Sequence, residues 1–331
     1  MSDPLTVASE AALDVGVVVI GRNEGARLVE SLMSALAVGV PVVYVDSDSS
    51  DGSAARASEI GCEVVELRSP PGYTAARARN AGYERLQKIL PGCRFVHFVD
   101  GDCVLVPGWV SVAAAHLREH GEVGIVCGRL LEEHPTASPY HRLASIEWDQ
   151  PVGDVGECGG IAMVRAEAFE DVGGYEADMP VGEDPDFCRR VGATGMRIVR
   201  LDRDMARHDI DMFRFSEWWL RQVRPGKAWA DTCHRRGAKA PADVRRNLVS
   251  TLAWGGALPA LCLLLVPATS GASLLVLAGA LATLWVKVRR HALGDGRSPA
   301  DATLYATACT LGKFAALQGV LRFARERIVS R

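Results

Sequence analysis

The sequence predicts an α/β fold, a mostly parallel sheet with helices on both faces, followed by a helical hairpin suited to a membrane. Three observations carry this expectation. Short apolar runs alternate with amphipathic stretches from Val15 to about Leu130, and a long uncharged run begins at Val249. The charge also changes sign along the 331 residues: positions 1–202 hold 17 Lys+Arg against 31 Asp+Glu, and positions 203–331 hold 20 against 9. An acidic front and a basic, apolar back suit a soluble catalytic part followed by a part that meets anionic lipid.

The runs Val15–Ile20, Val42–Val45, Glu63–Leu67, Phe95–Val99 and Val123–Cys127 read as strands. Between them Ala26–Val38 and Thr74–Leu90 place apolar residues at helical spacing. Strands that alternate with helices build a parallel sheet buried on both faces, and ligands bind beyond the carboxyl ends of such strands. Residues 15–130 therefore form an expected nucleotide-binding half. Residues 131–212, richer in Gly, Pro and Glu, form an acceptor half of the same domain. That half holds Gly159-Gly160 before an apolar run, a helix over Ala166–Val172, the turn Gly173-Gly174, the cluster Gly182–Asp186 and a run at Met196–Leu201.

Residues 213–246 read as a basic amphipathic helix and linker, carrying Trp218, Trp219, Arg221, Arg224 and Lys227. The two tryptophans could stack on a sugar, but their basic neighbours favour a membrane interface. Residues 247–331 are expected to be membrane-associated. Val249–Pro267 is 19 residues without a charge, and Leu274–Val286 is a second apolar run after the turn Thr269–Ser273. Arg245-Arg246 precede the pair and Lys287, Arg289 and Arg290 follow it. Both ends therefore belong on the cytoplasmic side. A third segment, Ala302–Val320, has Lys313 at its middle and is expected to lie in the interface.

Composition narrows the setting. The nine cysteines are scattered with no C-x-x-C pair, so neither a zinc site nor a disulfide framework is expected. The tail over residues 1–14 is acidic and has no basic region followed by an apolar core, so no signal peptide is expected and the catalytic part is placed in the cytoplasm. Basic residues flank apolar runs instead of interleaving with polar ones. The expected partner is a membrane, with no nucleic acid.

Four polar clusters fall at strand ends: Arg22-Asn23-Glu24, Asp46 to Gly52, Asp100-Gly101-Asp102, and Gly182-Glu183-Asp184. Asp100 and Asp102, one residue apart beyond an apolar strand, form a compact site for Mg²⁺ or Mn²⁺, hard cations that bridge to substrate phosphates. In this order and spacing the chain resembles family 2 glycosyltransferases of the GT-A fold, especially the bacterial membrane-attached members. The resemblance covers about residues 15–230.

The resemblance implies an inverting, metal-dependent transfer of a sugar from a UDP- or GDP-sugar to a lipid-linked or cell-surface glycan acceptor at the cytoplasmic membrane. It implies Asp102, with Asp100 and His208, as metal ligands, and Asp184 as general base with Glu183 as its neighbour. Asp186 is a third acid in the same cluster, and Asp184 before Pro185 would also suit a helix cap. Arg22, Asn23, Glu24, Asp46, Asp48, Arg79 and Asp100 are the expected donor-binding residues, while Asp51 and Gly52 shape the turn. Gly159 and Gly160 leave room for backbone near the donor sugar or acceptor, or form a plain strand-entry turn. Gln222-Val223-Arg224 departs from the Gln-x-x-Arg-Trp motif of the polymerising members, so a single transfer is expected. A sugar-1-phosphate nucleotidyltransferase would want a Gly-rich basic loop where Gly21-Arg22-Asn23-Glu24-Gly25 stands, and a dehydrogenase would want G-x-G-x-x-G there. An inactive membrane scaffold with the same fold is opposed by the intact acids at 100, 102 and 184.

Overall fold

A computed structural model gives the structure, and it describes residues 14–68 and 72–329. Nearly all of the acidic N-terminal tail lies outside the described residues. Internal contacts sort the chain into two compact units. The first runs up to Glu133 and again from Trp148 to Asp209; the second takes His134–Glu147 and the chain from Ile210 onward.

The first unit is built on one nine-stranded sheet. Its strands are β1 Val15–Gly21, β2 Val42–Asp46, β3 Glu63–Glu66, β4 Phe95–Asp100, β5 Cys103–Leu105, β6 Val123–Glu132, β7 Gly153–Asp154, β8 Ala162–Arg165 and β9 Arg197–His208. The order is β3-β2-β1-β4-β8-β6-β9-β5, with β7 pairing β9. Strands β3, β2, β1 and β4 are parallel, which matches their continuous apolar sequences: Val15 to Ile20 are all buried. The other half is mixed, because β8 runs antiparallel between β4 and β6, and β5 and β7 run antiparallel to β9.

Helices α1 Ala26–Leu36, α2 Ser53–Glu59, α3 Ala75–Ile89 and α4 Trp109–Glu119 follow these strands. Thr74 caps α3 as its sequence suggests, accepting a 3.0 Å hydrogen bond from the Arg77 amide. Helix α5, Pro139–Trp148, belongs to the second unit up to Glu147, while α6 Ala166–Asp171 and α7 Glu183–Ala193 complete the first. Gly82 lets α3 lie close on β1, since a side chain there would run into Val18. That approach brings Arg79, one turn earlier, under the carboxyl edge of the sheet.

The second unit is helical: α8 Phe215–Arg236, α9 Ala242–Leu264, α10 Ala272–Gly294 and α11 Pro299–Val329. Helix α9 contains a π-helical segment over Leu252–Ala257. Helices α9 and α10 are each 23 residues long, apolar enough to cross a membrane, and almost uncovered by the rest of the chain. Leu264 and Leu275 are each 77% exposed, which a hairpin buried in a soluble core would not allow. Trp218 corrects the sequence reading. It is buried against Leu143 and Met212 and is a core residue of this unit, not an interface anchor. Trp219 is half-buried and donates from Nε1 to Gln318 at 2.6 Å. Helix α11 runs along both α8 and α10 as the unit's central packing element.

Candidate active site

The first two polar clusters form one folded edge. Asn23 has a left-handed backbone (φ 59°), and its Oδ1 accepts from the Ser50 amide at 2.8 Å while its own amide donates to Ser49 Oγ at 3.0 Å. Asp46 is buried and accepts from the Tyr44 hydroxyl at 2.9 Å and the Ser49 amide at 2.8 Å. Asp51 accepts from the Gly25 amide at 2.9 Å and the Ser53 hydroxyl at 2.6 Å. Asn23 and Asp51 tie the loops after β1 and β2 together, and Asp46 holds the second loop to its own strand. Asp48 is different. It is exposed, with φ 62°, and Tyr73 donates its hydroxyl to it. The Arg22 guanidinium lies over the Tyr73 ring, 4.5 Å from its centroid. Arg22, Tyr73 and Asp48 thus make a flat cationic, aromatic and acidic wall, and Tyr73 had no motif to announce it.

Arg79 is not at that wall. It is 2% exposed and bonds Asp100 Oδ1 from Nη2 at 2.8 Å and Glu183 Oε1 from Nη1 at 3.0 Å. Asp184 Oδ1 lies 3.3 Å from the same Nη1, and the Tyr175 ring centroid is 5.4 Å from the guanidinium. A nucleotide-contacting Arg79 is therefore replaced by a buried hub that joins α3, the end of β4 and the start of α7. Next to it Asn80 clasps the Tyr175 backbone, donating to its carbonyl at 2.8 Å and accepting from its amide at 2.9 Å. Gly160 has a matching role. A Cβ there would strike Arg79 Nη2 and stand 2.8 Å from Asp100 Oδ2, so the missing side chain makes room for the ion pair. At Gly159 the backbone is left-handed (φ 75°) and the space beside it is open.

Helix α7 opens on Gly182, in a left-handed conformation with no side-chain cap, so Asp184 does not serve as the cap. Glu183, Asp184 and Asp186 all fall in its first turn, where the helix dipole favours negative charge. Asp186 turns into the core and is 1% exposed, accepting from Arg190 Nε at 2.9 Å. Glu183 is bonded to Arg79. Asp184 Oδ1 has no hydrogen-bond donor among the described residues. Burial pushes the Asp184 carboxyl up to about 7; Arg79 opposes this, and the charges of Glu183 and Asp100 add to it. That is the range a general base needs.

On the other side, β9 delivers His208 beside Asp102, with Nε2 3.0 Å from Asp102 Oδ2. The Cys103 thiol donates to Asp102 Oδ1 at 3.4 Å, and one donor atom from each of the three residues lies within 4.8 Å of the others. Burial resists ionisation of Asp102, but the His208 hydrogen bond and charge outweigh it and lower the carboxyl. Burial likewise works against a charged His208, and its bond to Asp102 overcomes it and raises the imidazole. Burial raises Asp100, with Arg79 opposing and Asp102 adding. Glu24 belongs with these acids and not with the loop wall: burial and then Asp102 raise its carboxyl, and Arg27 holds it at 3.4 Å. The indole of Trp148 stacks on the His208 ring with centroids 4.9 Å apart.

A family model described as glycosyl transferase family 2 matches residues 16–173, and one described as N-terminal domain of galactosyltransferase matches residues 141–214. These spans contain the sheet, the acid cluster and Asp184. The chain belongs to the family 2 glycosyltransferases. Curated relatives named pre-mycofactocin glycosyltransferase, from Mycobacterium tuberculosis strains CDC 1551 and H37Rv, are 30% identical to this chain over 253 residues, or 70% of it. The chain spans about half (48%) of the length of these relatives. A mannosyltransferase from Pyrobaculum calidifontis, solved with GDP-Man and Mn²⁺, superposes with a TM-score of 0.62 over 94% of this chain and 87% of its own. At 19% identity that likeness shows the GT-A fold.

Proposed function

We propose that the transferase moves a sugar from a nucleoside-diphosphate sugar to the hydroxyl of an acceptor at a membrane surface, inverting the sugar carbon. The observation that carries this is the Asp102–His208 pair together with Asp184, which Arg79 holds at 3.3 Å and whose carboxyl burial pushes up to about 7. The pair's 3.0 Å donor separation is about that of two adjacent ligands on one ion with bonds near 2.1 Å. The residues present therefore fit a divalent ion. Carboxylate donors suit Mg²⁺ and Mn²⁺ alike, and the imidazole favours Mn²⁺. Such an ion supplies charge neutralisation for the diphosphate as its bond to the sugar breaks.

Asp184 takes the proton of the attacking hydroxyl, whose oxygen forms the new bond to the sugar carbon. A base poised near pH 7 supports a hydroxyl acceptor, since a phosphate acceptor would need no proton removed. Arg79 keeps Asp100, Glu183 and Asp184 in place without neutralising them fully. Asp48 accepts from N–H groups of the nucleobase, which uracil and guanine both offer, while Arg22 and Tyr73 flank it. In this reading helices α9 and α10 enter the bilayer with Arg245, Arg246 and the Lys287–Arg290 cluster on the cytoplasmic side, and their apolar length supports an acceptor that is lipid-linked or at the cell envelope.

The test is donor turnover by the full chain in detergent, with Mn²⁺ or Mg²⁺, across a panel of UDP- and GDP-sugars. Polyprenyl phosphate, lipid-linked glycans and pre-mycofactocin, for which the relatives are named, serve as acceptors. Metal-dependent release of one nucleotide, lost in Asp102→Asn, and an inverted anomer by NMR are the expected results. A folded protein that binds no nucleotide-sugar, or a product of retained configuration, would overturn the reading.

A further inference from the structure

His208 closes β9, and its Cα is paired with Cys103 of β5 on one side and Glu132 of β6 on the other. Its backbone is therefore fixed from both edges. The imidazole is not fixed by that, since it can still rotate about its side-chain bonds, and one orientation alone turns Nε2 toward Asp102 Oδ2 at 3.0 Å. The contact that covers the ring comes from elsewhere in the same unit. Trp148, the last residue of α5, lays its indole on the imidazole with centroids 4.9 Å apart and planes inclined by 21°. The His208 side chain is 19% exposed, with the indole against one face of its ring.

We propose that Trp148 is a positioning residue for the metal site, holding the His208 imidazole with Nε2 presented beside Asp102. This rests on the reading that Asp102 and His208 hold the divalent ion. Two donors already in place bind an ion without the ordering cost that a free ring would add. Partners that orient a ligand imidazole commonly contribute 10- to 100-fold in metal affinity. The stack needs a flat face and not the indole nitrogen, so Phe can replace Trp and Leu cannot.

Mn²⁺ binding to the full chain is measured without donor, by the EPR signal of free Mn²⁺, for Trp148→Phe, Trp148→Leu, Trp148→Ala, His208→Ala and the Trp148→Leu/His208→Ala double variant. Electron spin echo modulation from a directly bound ¹⁴N gives a second readout that does not depend on turnover. The expected result is affinity near wild type with nitrogen modulation kept in Phe, and a loss of about 10- to 100-fold with weakened modulation in Leu and Ala. The double variant binds no more weakly than His208→Ala alone. The proposal is overturned if the Leu variant, folded by its thermal melt, keeps wild-type affinity and modulation. It is also overturned if the Trp148 change weakens binding equally when His208 is already gone. Wild-type affinity in His208→Ala would instead remove the metal-site reading on which the proposal stands.

Discussion

Two acidic turns meet the carboxyl edge of the same sheet. In the loop after β2, Asp46 and Asp51 accept from Tyr44, Ser49, Gly25 and Ser53, and Asp48 accepts from Tyr73 alone among the described residues. Around Arg79 the balance is reversed. Asp102 turns toward a histidine, Asp100 and Glu183 share one guanidinium, and Asp184 keeps an oxygen without a hydrogen bond. Acids whose oxygens are consumed by their own loop build shape. Among the crowded acids burial raises Asp100 and Asp184, whereas the His208 partner lowers Asp102.

The largest expected break in this contrast is Asp184→Asn. Loss of a general base lowers kcat by about 10²- to 10⁴-fold, and calorimetry should find donor affinity retained. The base works only when ionised, and its carboxyl lies near pH 7. The wild-type rate should therefore climb as pH rises to about 7 and level above it, while the residual rate of the variant stays flat across that window. A rising limb that survives in the Asn variant would assign the titration to another group.

Next comes Arg79→Met, which strips three carboxylates of their shared cation. Breaking a buried ion pair from one side costs about 3–5 kcal/mol, read from urea unfolding. Arg79→Lys should fall between, because it keeps the charge but not the two-pronged geometry. Gly160→Ala should follow at about 1–3 kcal/mol, as its methyl presses on Arg79 and Asp100. The smallest effects separate the two kinds of acid within one loop. Asp46→Ala should cost about 1–3 kcal/mol by removing the acceptor of the Tyr44 hydroxyl and the Ser49 amide. Asp48→Ala should leave the melting temperature alone and raise the donor KM by about tenfold, the worth of one hydrogen bond.

Much of this was legible from local pattern. The apolar runs marked the strands because both faces of that sheet half are covered, and the acids at their ends marked the edge where ligands bind. The hub was not legible. From sequence Arg79 is an expected donor contact, and only in the fold does Gly82 bring its helix down on β1 and Gly160 clear the space for its ion pairs. Asp186 could have been set aside by helix phase alone, since two residues turn it about 200° from Asp184 and into the core. Trp218 shows the same limit, because basic neighbours in sequence said nothing about Leu143 and Met212 beside it in space. Tyr73 and Trp148 belong to no motif, and their partners are found only in the folded chain.

The helical unit carries one more consequence. Gly226 of α8 faces the Ala316 carbonyl of α11, and Gly319 of α11 faces the Val223 carbonyl of α8, each too close for any side chain. Backbone pressed on backbone gains its energy from van der Waals contact, not from expelling water, so it works equally in lipid and in solution. This helix pair is thus indifferent to its solvent, whereas the bare leucines of α9 and α10 are not. Detergent should exchange around those leucines while the α8–α11 crossing persists, making it a fixed keel for a part that changes surroundings.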